Sequence, residues 1–329
     1  MRIAILRCYR LKIPNPKSQI PDPTGAEPVH FIADRGDARL RLDQVLVRRI
    51  TGITRLSRSV AQQWIESGLV TIDQVLVRRP STRVREGASI EVAIPASTQR
   101  RSRPEAEAGI LEVLYEDDLV LAVNKPPRIV VHPSYKQVEG TLLNTVLWRL
   151  QDRSDARPGI LTRLDKDTSG IVIVALTPEV HAAMQRDAAA GLIRKVYLAI
   201  VNGAPKPRTG RIREPLARDP NDRRRVVVMA GGAESETRYE VVAQRGDLSV
   251  VRCELITGRT HQIRVHLAFK GWPIVGDRLY GTADDRIGRQ ALHAWRMRFP
   301  HPLTRQPMEI EAPVPDDMRR LDVCQNVTL

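Results

Sequence analysis

The stretch Gly159-Ile160-Leu161-Thr162-Arg163-Leu164-Asp165-Lys166-Asp167-Thr168-Ser169-Gly170-Ile171-Val172-Ile173-Val174-Ala175 decides how most of this chain folds. Ile171 to Ala175 is apolar at every position, so both faces of the strand it forms must be covered, which places that strand inside a sheet. The preceding residues are charged and end in Thr168-Ser169-Gly170, the composition of a loop. A rigid strand thus anchors a polar loop, where reactive side chains can be held still and remain accessible. Asp165 and Asp167 are the carboxylates of that loop. Local chemistry alone makes either one a turn residue bonded to its own backbone.

Further strand patterns at Leu119–Val123, Lys195–Val201 and Val250–Leu255, with helical segments between them, predict an α+β domain over residues 109–329. Alternation in Lys195–Val201 puts Lys195 and Tyr197 on one face and Val196, Leu198 and Ile200 on the other. Tyr197 is then either a cleft residue or a core aromatic. Thr260 as N-cap and Gly271 as stop predict a helix from His261 to Lys270, with Arg259 beside an N-terminus that favours anions. His261 and His266 stand about 140° apart around such a helix, so they do not converge on one metal ion.

A second compact unit precedes this domain, over residues 37–95. Leu42, Val45, Leu46 and Ile50 mark one helix. Ser57 or Ser59 can cap a second, which carries Val60, Ala61, Trp64 and Ile65 and stops at Gly68. Leu69–Val77 and Ser89–Ile94 read as strands. The unit is rich in arginine, whose planar fork suits phosphate, and Arg41, Arg48, Arg49, Arg55 and Arg58 are candidate nucleic-acid contacts. Residues 96–108 are polar and lack periodicity, as expected of a linker. Residues 1–36, with five prolines, are expected to be a mobile extension or to lie upstream of the natural start.

Composition narrows the function. The 329 residues include 52 Lys and Arg against 38 Asp and Glu, a net charge of +14 that favours a partner rich in phosphate. Aromatic residues make up only 4%, too few for a broad stacking platform, so shape and phosphate contacts are expected to dominate recognition. The longest apolar run is the six residues Ile171–Leu176, far short of the roughly 20 needed to cross a membrane. Ile3-Ala4-Ile5-Leu6 is likewise shorter than a secretory core of about 7–15 residues, and with Cys8, Cys253 and Cys324 scattered and odd in number, a reducing cytoplasm is predicted. No metal site is suggested.

Arg41-Leu42-Asp43-Gln44-Val45-Leu46, Ser57-Arg58-Ser59 and Gly68-Leu69-Val70 together resemble the S4 RNA-binding domain, although Asp73-Gln74 stands where that family usually has an Asn-Gly type of turn. From about residue 110 to residue 320 the chain resembles the RluA/RluD-type pseudouridine synthases. The resemblance rests on Asn124-Lys125-Pro126-Pro127 with Val131-His132-Pro133, on Gly140-Thr141-Leu142-Leu143-Asn144, on Arg163-Leu164-Asp165 and on Gly258-Arg259-Thr260-His261-Gln262-Ile263-Arg264-Val265-His266. Gly276-Asp277, Tyr280-Gly281, Ala291-Leu292-His293-Ala294 and His301-Pro302-Leu303 continue it.

This resemblance implies a mixed or antiparallel catalytic sheet and a cofactor-free isomerase that converts uridine to pseudouridine in RNA, and the S4-like unit with the large net charge points to large-subunit ribosomal RNA. Transfer RNA as substrate, or a non-catalytic ribosome-assembly factor on the same fold, are the alternatives. It further implies Asp165 as the catalytic carboxylate, acting by attack on C1′ or by assisting loss of the C2′ proton. Tyr197 is implied as the residue against the uracil, Arg264 as the partner of Asp165, Arg163 as the occupant of the space left by the extruded base, and Arg259 as a phosphate contact. Thr162 stands where the family commonly has His. The working form is expected to be a monomer bound to ribosomal RNA or pre-ribosomal particles.

Overall fold

The computed structural model describes residues 28–50, 56–94, 104–133 and 137–324. Its two compact units divide between Arg103 and Pro104.

The first unit contains β1 (Val29–Ile32), α1 (Leu42–Ile50), α2 (Arg58–Glu66), β2 (Val70–Ile72), β3 (Val75–Leu76) and β4 (Ser89–Val92). Its sheet runs β1-β4-β2-β3, all antiparallel. Leu42, Val45, Leu46 and Ile50 of α1 are buried against Ala61, Trp64 and Ile65 of α2, and Ser57 caps α2 by accepting from the Val60 amide. Strand β1 lies within the segment expected to be an extension; it pairs with β4 and packs Val29 and Phe31 on the core, so the unit begins earlier than residue 37. Leu69–Val77 is a hairpin rather than one strand. Its turn residues Asp73 and Gln74 both have positive φ, at 49° and 66°. Asp73 holds this conformation by accepting from the Ser89 amide at 2.9 Å and from Arg85 at 2.8 Å.

The second unit contains, in order, β5 (Glu112–Glu116), β6 (Val120–Lys125), α3 (Leu142–Arg149), β7 (Gly159–Ile160), β8 (Ser169–Ala175), α4 (Pro178–Ala189), β9 (Arg194–Asn202) and β10 (Thr209–Ile212). β11 (Leu216–Arg218), β12 (Val226–Val228), β13 (Thr237–Arg245), β14 (Leu248–Leu255), α5 (Gln262–Phe269), β15 (Leu292–Pro300), β16 (Pro307–Glu311) and α6 (Asp316–Arg319) follow. The main sheet has the order β10-β13-β14-β9-β15-β8-β6-β5, with β16 on β15 and β7 on β8. Two antiparallel halves meet at one parallel junction, where His293 and Ala294 of β15 register with Ser169 and Gly170 of β8.

The two-sided apolar run of β8 has its cause here. Ile171, Ile173 and Ala175 pack with Val180 and Met184 of α4, whereas Val172 and Val174 pack with Leu142 and Val146 of α3. Gly170 sits at that junction; its φ is +112°, and a Cβ there would lie 2.2 Å from the Ala294 carbonyl oxygen. Among the described residues, no helix is long and apolar enough to cross a membrane.

Candidate active site

The loop that enters β8 at the parallel junction is held by its backbone. Lys125 is fully buried, and its ammonium donates to the carbonyls of Pro126 (2.7 Å), Ile129 (2.9 Å) and Lys166 (3.0 Å). Burial pushes the Lys125 ammonium down to about 7, with the charge of Asp167 working the other way. Arg289, also buried, donates to the Asp167 carbonyl at 3.2 Å, and the Thr168 amide returns to the Asp165 carbonyl at 3.1 Å. Asp167 thus serves through its backbone, not through the side-chain turn expected of it. Two buried cations and a tight turn immobilise the segment beside Asp165 while leaving its carboxylate clear.

That carboxylate is about a quarter exposed and meets Arg264, whose Nη1 donates to Asp165 Oδ2 at 2.8 Å. Arg264 is nearly buried on α5 and is itself aimed by Asp277, which takes Nε at 2.7 Å and Nη2 at 2.9 Å in a fork. Asp277 is wholly buried, and it also accepts the amides of Leu279 and Tyr280. Burial opposes charge on both partners of this pair. Their mutual hydrogen bonds win, raising the Arg264 pKa and holding that of Asp277 below its usual range. Among the described residues, no donor bonds Asp165 Oδ1, so one oxygen is fixed and the other is open.

Asp165, Arg264, Tyr197, Arg163, Arg259 and His261 line one cleft of about 490 Å³. Tyr197 comes from β9, is 6% exposed, and its hydroxyl has no hydrogen-bond partner among the described residues. Burial, and then the charge of Asp165, raise the pKa of this phenol and keep it protonated. Arg163 is exposed and has no hydrogen bond or ion pair with any described residue. Arg259 is exposed and uses Nε on the Glu234 carbonyl at 3.1 Å. Thr162 is buried, and its hydroxyl accepts the Ile173 amide at 3.1 Å, a structural contact.

The helix carrying Arg264 starts one residue later than expected. His261, not Thr260, is its N-cap, with left-handed backbone (φ 56°, ψ 15°) and no side-chain cap. Buried Gln262 anchors the loop instead, accepting from the Arg259 amide and the Thr257 hydroxyl and donating to the Glu236 carbonyl. His266 points away toward Thr237, Ser235 and the Glu214 carbonyl. Among the described residues, no three metal-ligating side chains cluster. Asp277, Tyr280, Lys125 and His261 were not singled out from sequence as site residues; only their place in motifs pointed to them.

The remaining candidate arginines lie in the first unit. Arg41 and Arg58 are tied to buried Asp43 at 3.1 and 3.0 Å, and Arg49 and Arg48 to buried Asp37 at 2.5 and 3.5 Å. Arg55 lies outside the described residues.

Residues 119–269 match the RNA pseudouridylate synthase family and residues 40–90 match the S4 domain. The ribosomal large subunit pseudouridine synthase D of Nitrosomonas europaea is 39% identical over 86% of this chain and 84% of its own. That of Xanthomonas campestris is 38% identical over 85% and 87%. Among solved structures, human RNA pseudouridylate synthase domain containing 1 superposes with a TM-score of 0.54 at 28% identity, covering 66% of this chain and 90% of the human one. The matches to these two families, with relatives at 38–39% identity over most of the chain, define the class as an RNA-modifying enzyme with an RNA-binding module. The chain belongs to the RNA pseudouridylate synthase family and carries an S4 domain.

Proposed function

We propose that the protein converts uridine to pseudouridine in large-subunit ribosomal RNA, with Asp165 as the reacting carboxylate. The observation that carries this is the pairing of Asp165 with Arg264 at 2.8 Å, in a cleft that also holds Tyr197 and the unpartnered Arg163. In the reaction the N1–C1′ bond breaks, the base turns, C5 bonds to C1′, and the proton leaving C5 is balanced by one gained at N1. No atom is added or lost. Arg264 fixes Asp165 Oδ2 by its hydrogen bond and leaves Oδ1 for either attack on C1′ or removal of the C2′ proton. A phenol held protonated presents the Tyr197 ring to the uracil and favours stacking over acceptance of the C5 proton. The target nucleotide must leave its stack, at a cost of a few kcal/mol, and Arg163 fills the space it vacates.

The first unit, from β1 at Val29 onward, supplies RNA affinity as an S4-type module, and residues 109–329 supply the chemistry. Arg41, Arg48, Arg49 and Arg58 are held by carboxylates on one side and keep further donors for phosphate, alongside Arg55 and, in the catalytic unit, Arg259. Ribosomal RNA is supported by the relatives named for that substrate and by the net charge of +14. We place the protein in the cytoplasm, where free thiols such as Cys253 and Cys324 stay reduced, and take a monomer as its working form.

Two measurements test this. Tritium release from C5-labelled uridine in RNA is expected from the purified protein and would be absent from a pure binding factor. Pseudouridine maps of total RNA from cells with and without the protein should differ in large-subunit ribosomal RNA; a difference confined to transfer RNA would overturn the assignment.

A further inference from the structure

His261 has a place in the cleft that the chemistry above does not use. Among the described residues it is one of six non-glycine residues with positive φ, a conformation that persists only where surrounding contacts impose it. Its imidazole is held between two groups. Nε2 faces Asp165 Oδ2 at 3.8 Å, and Nδ1 lies 2.8 Å from the Tyr280 hydroxyl. The two rings meet edge to face, with centroids 5.6 Å apart.

Proton counting along this chain of contacts fixes the tautomer. The Val226 amide can only donate, and it donates to the Tyr280 oxygen at 2.8 Å. The single proton of that phenol has no acceptor among the described residues other than Nδ1 of His261, so it bonds there. With Nδ1 an acceptor, a neutral imidazole carries its hydrogen on Nε2, the nitrogen turned toward Asp165. Burial disfavours the charged imidazolium, against the pull of Asp165.

We propose that His261 is a positioning residue for Asp165, with Tyr280 and the Val226 amide setting its tautomer so that an Nε2–H donor is aimed at Oδ2. Arg264 and His261 then share Oδ2, which leaves Oδ1 to react. A gap of 3.8 Å is too long for a hydrogen bond. It closes by about 1 Å as the cleft fills, in the way catalytic contacts that are loose in empty sites tighten around substrate. Val226 lies on the β11–β12 hairpin, whose connecting segment carries Arg223 and Arg224 and borders Arg259 and Thr260. Contact of RNA with that hairpin is thereby joined to the orientation of the reacting carboxylate.

The inference rests on Asp165 being the reacting group, and the test separates the two claims. Nitrogen spectra of histidine-labelled protein should show His261 protonated on Nε2, with Tyr280→Phe giving a mixture of tautomers; a wild-type His261 protonated on Nδ1 would overturn the proposal. His261→Asn suits the left-handed backbone but is too short to reach Oδ2, and it should lower kcat by about 10²-fold with KM for RNA unchanged. His261→Gln, which restores an amide donor at reach, should recover most of that loss. If His261→Asn turns over like wild type while Asp165→Asn is inactive, the positioning role fails alone. If Asp165→Asn is itself active, the underlying reading fails.

Discussion

Arg264→Lys separates what this arginine does for the fold from what it does for the chemistry. Arg264 makes three charge-assisted hydrogen bonds, two in a fork to Asp277 and one to Asp165. A lysine ammonium keeps the charge but has neither the fork nor the span to serve both carboxylates. Asp277 is fully buried, so the ammonium stays with it and Asp165 loses its donor. Hydrogen bonds to charged groups contribute about 1.5–3 kcal/mol each. One lost from the fork lowers Tm by about 3–12 °C at the 2–4 °C per kcal/mol usual for a domain of this size. The one lost at Asp165 slows turnover by about 10- to 150-fold at 1.36 kcal/mol per decade. Arg264→Met, which strands the buried Asp277, should cost more stability, about 3–5 kcal/mol. Scanning calorimetry and single-turnover pseudouridine formation read the two effects separately. A lysine variant with wild-type melting and wild-type turnover would refute the claim that one guanidinium bridges both carboxylates.

Three other substitutions probe the supports around the site. Gly170→Ala forces a side chain into left-handed backbone against the Ala294 carbonyl and should destabilise the catalytic unit by at least about 2 kcal/mol, seen as a lower melting temperature. Lys125 has a folded pKa near 7, below its ordinary 10.5, so the unfolded chain binds more protons between those values. Wild-type stability should therefore gain from this group as pH rises from about 7 to 10.5; Lys125→Met should lack that component of the slope, and should also lose activity as the Lys166 carbonyl beside Asp165 is released. In the S4 unit, burial works against the charge of Asp43, but hydrogen bonds from Arg41, Gln62 and Arg58 hold its pKa down to about 2. The stability this contributes is present above pH 3.8 and is lost as pH falls through about 2; acid unfolding followed by circular dichroism should lack that component in Asp43→Ala.

Features whose cause is local could be read in the chain. Ile171–Ala175 announced a strand covered on both faces because every position is apolar, and α3 and α4 supply the two covers. The helices of the S4 unit followed from apolar spacing, the Ser57 cap and the Gly68 stop. What escaped depends on distant partners. Strand β1 is four residues beside a proline-rich stretch, and only its pairing with β4 makes it a strand. Asp73 and Gln74 turn without glycine because Arg85 and Ser89 grip the Asp73 carboxylate. The cap expected at Thr260 is displaced because Gln262 anchors the loop and Tyr280, nineteen residues beyond His261, holds the imidazole. Local chemistry made Asp165 an ordinary loop aspartate. Its resemblance to a family motif reversed that, and the contact with Arg264 spans 99 residues of sequence that no periodicity connects.

Asp165→Asn removes a charge with little change in volume, so it tests the central claim with the fold left intact. Tritium release from C5-labelled RNA, measured beside RNA affinity for wild type and variant, is the most direct readout. Release should be abolished in Asp165→Asn while the RNA is bound about as tightly as by wild type; equal release from both proteins would contradict the assignment of Asp165 as the reacting carboxylate.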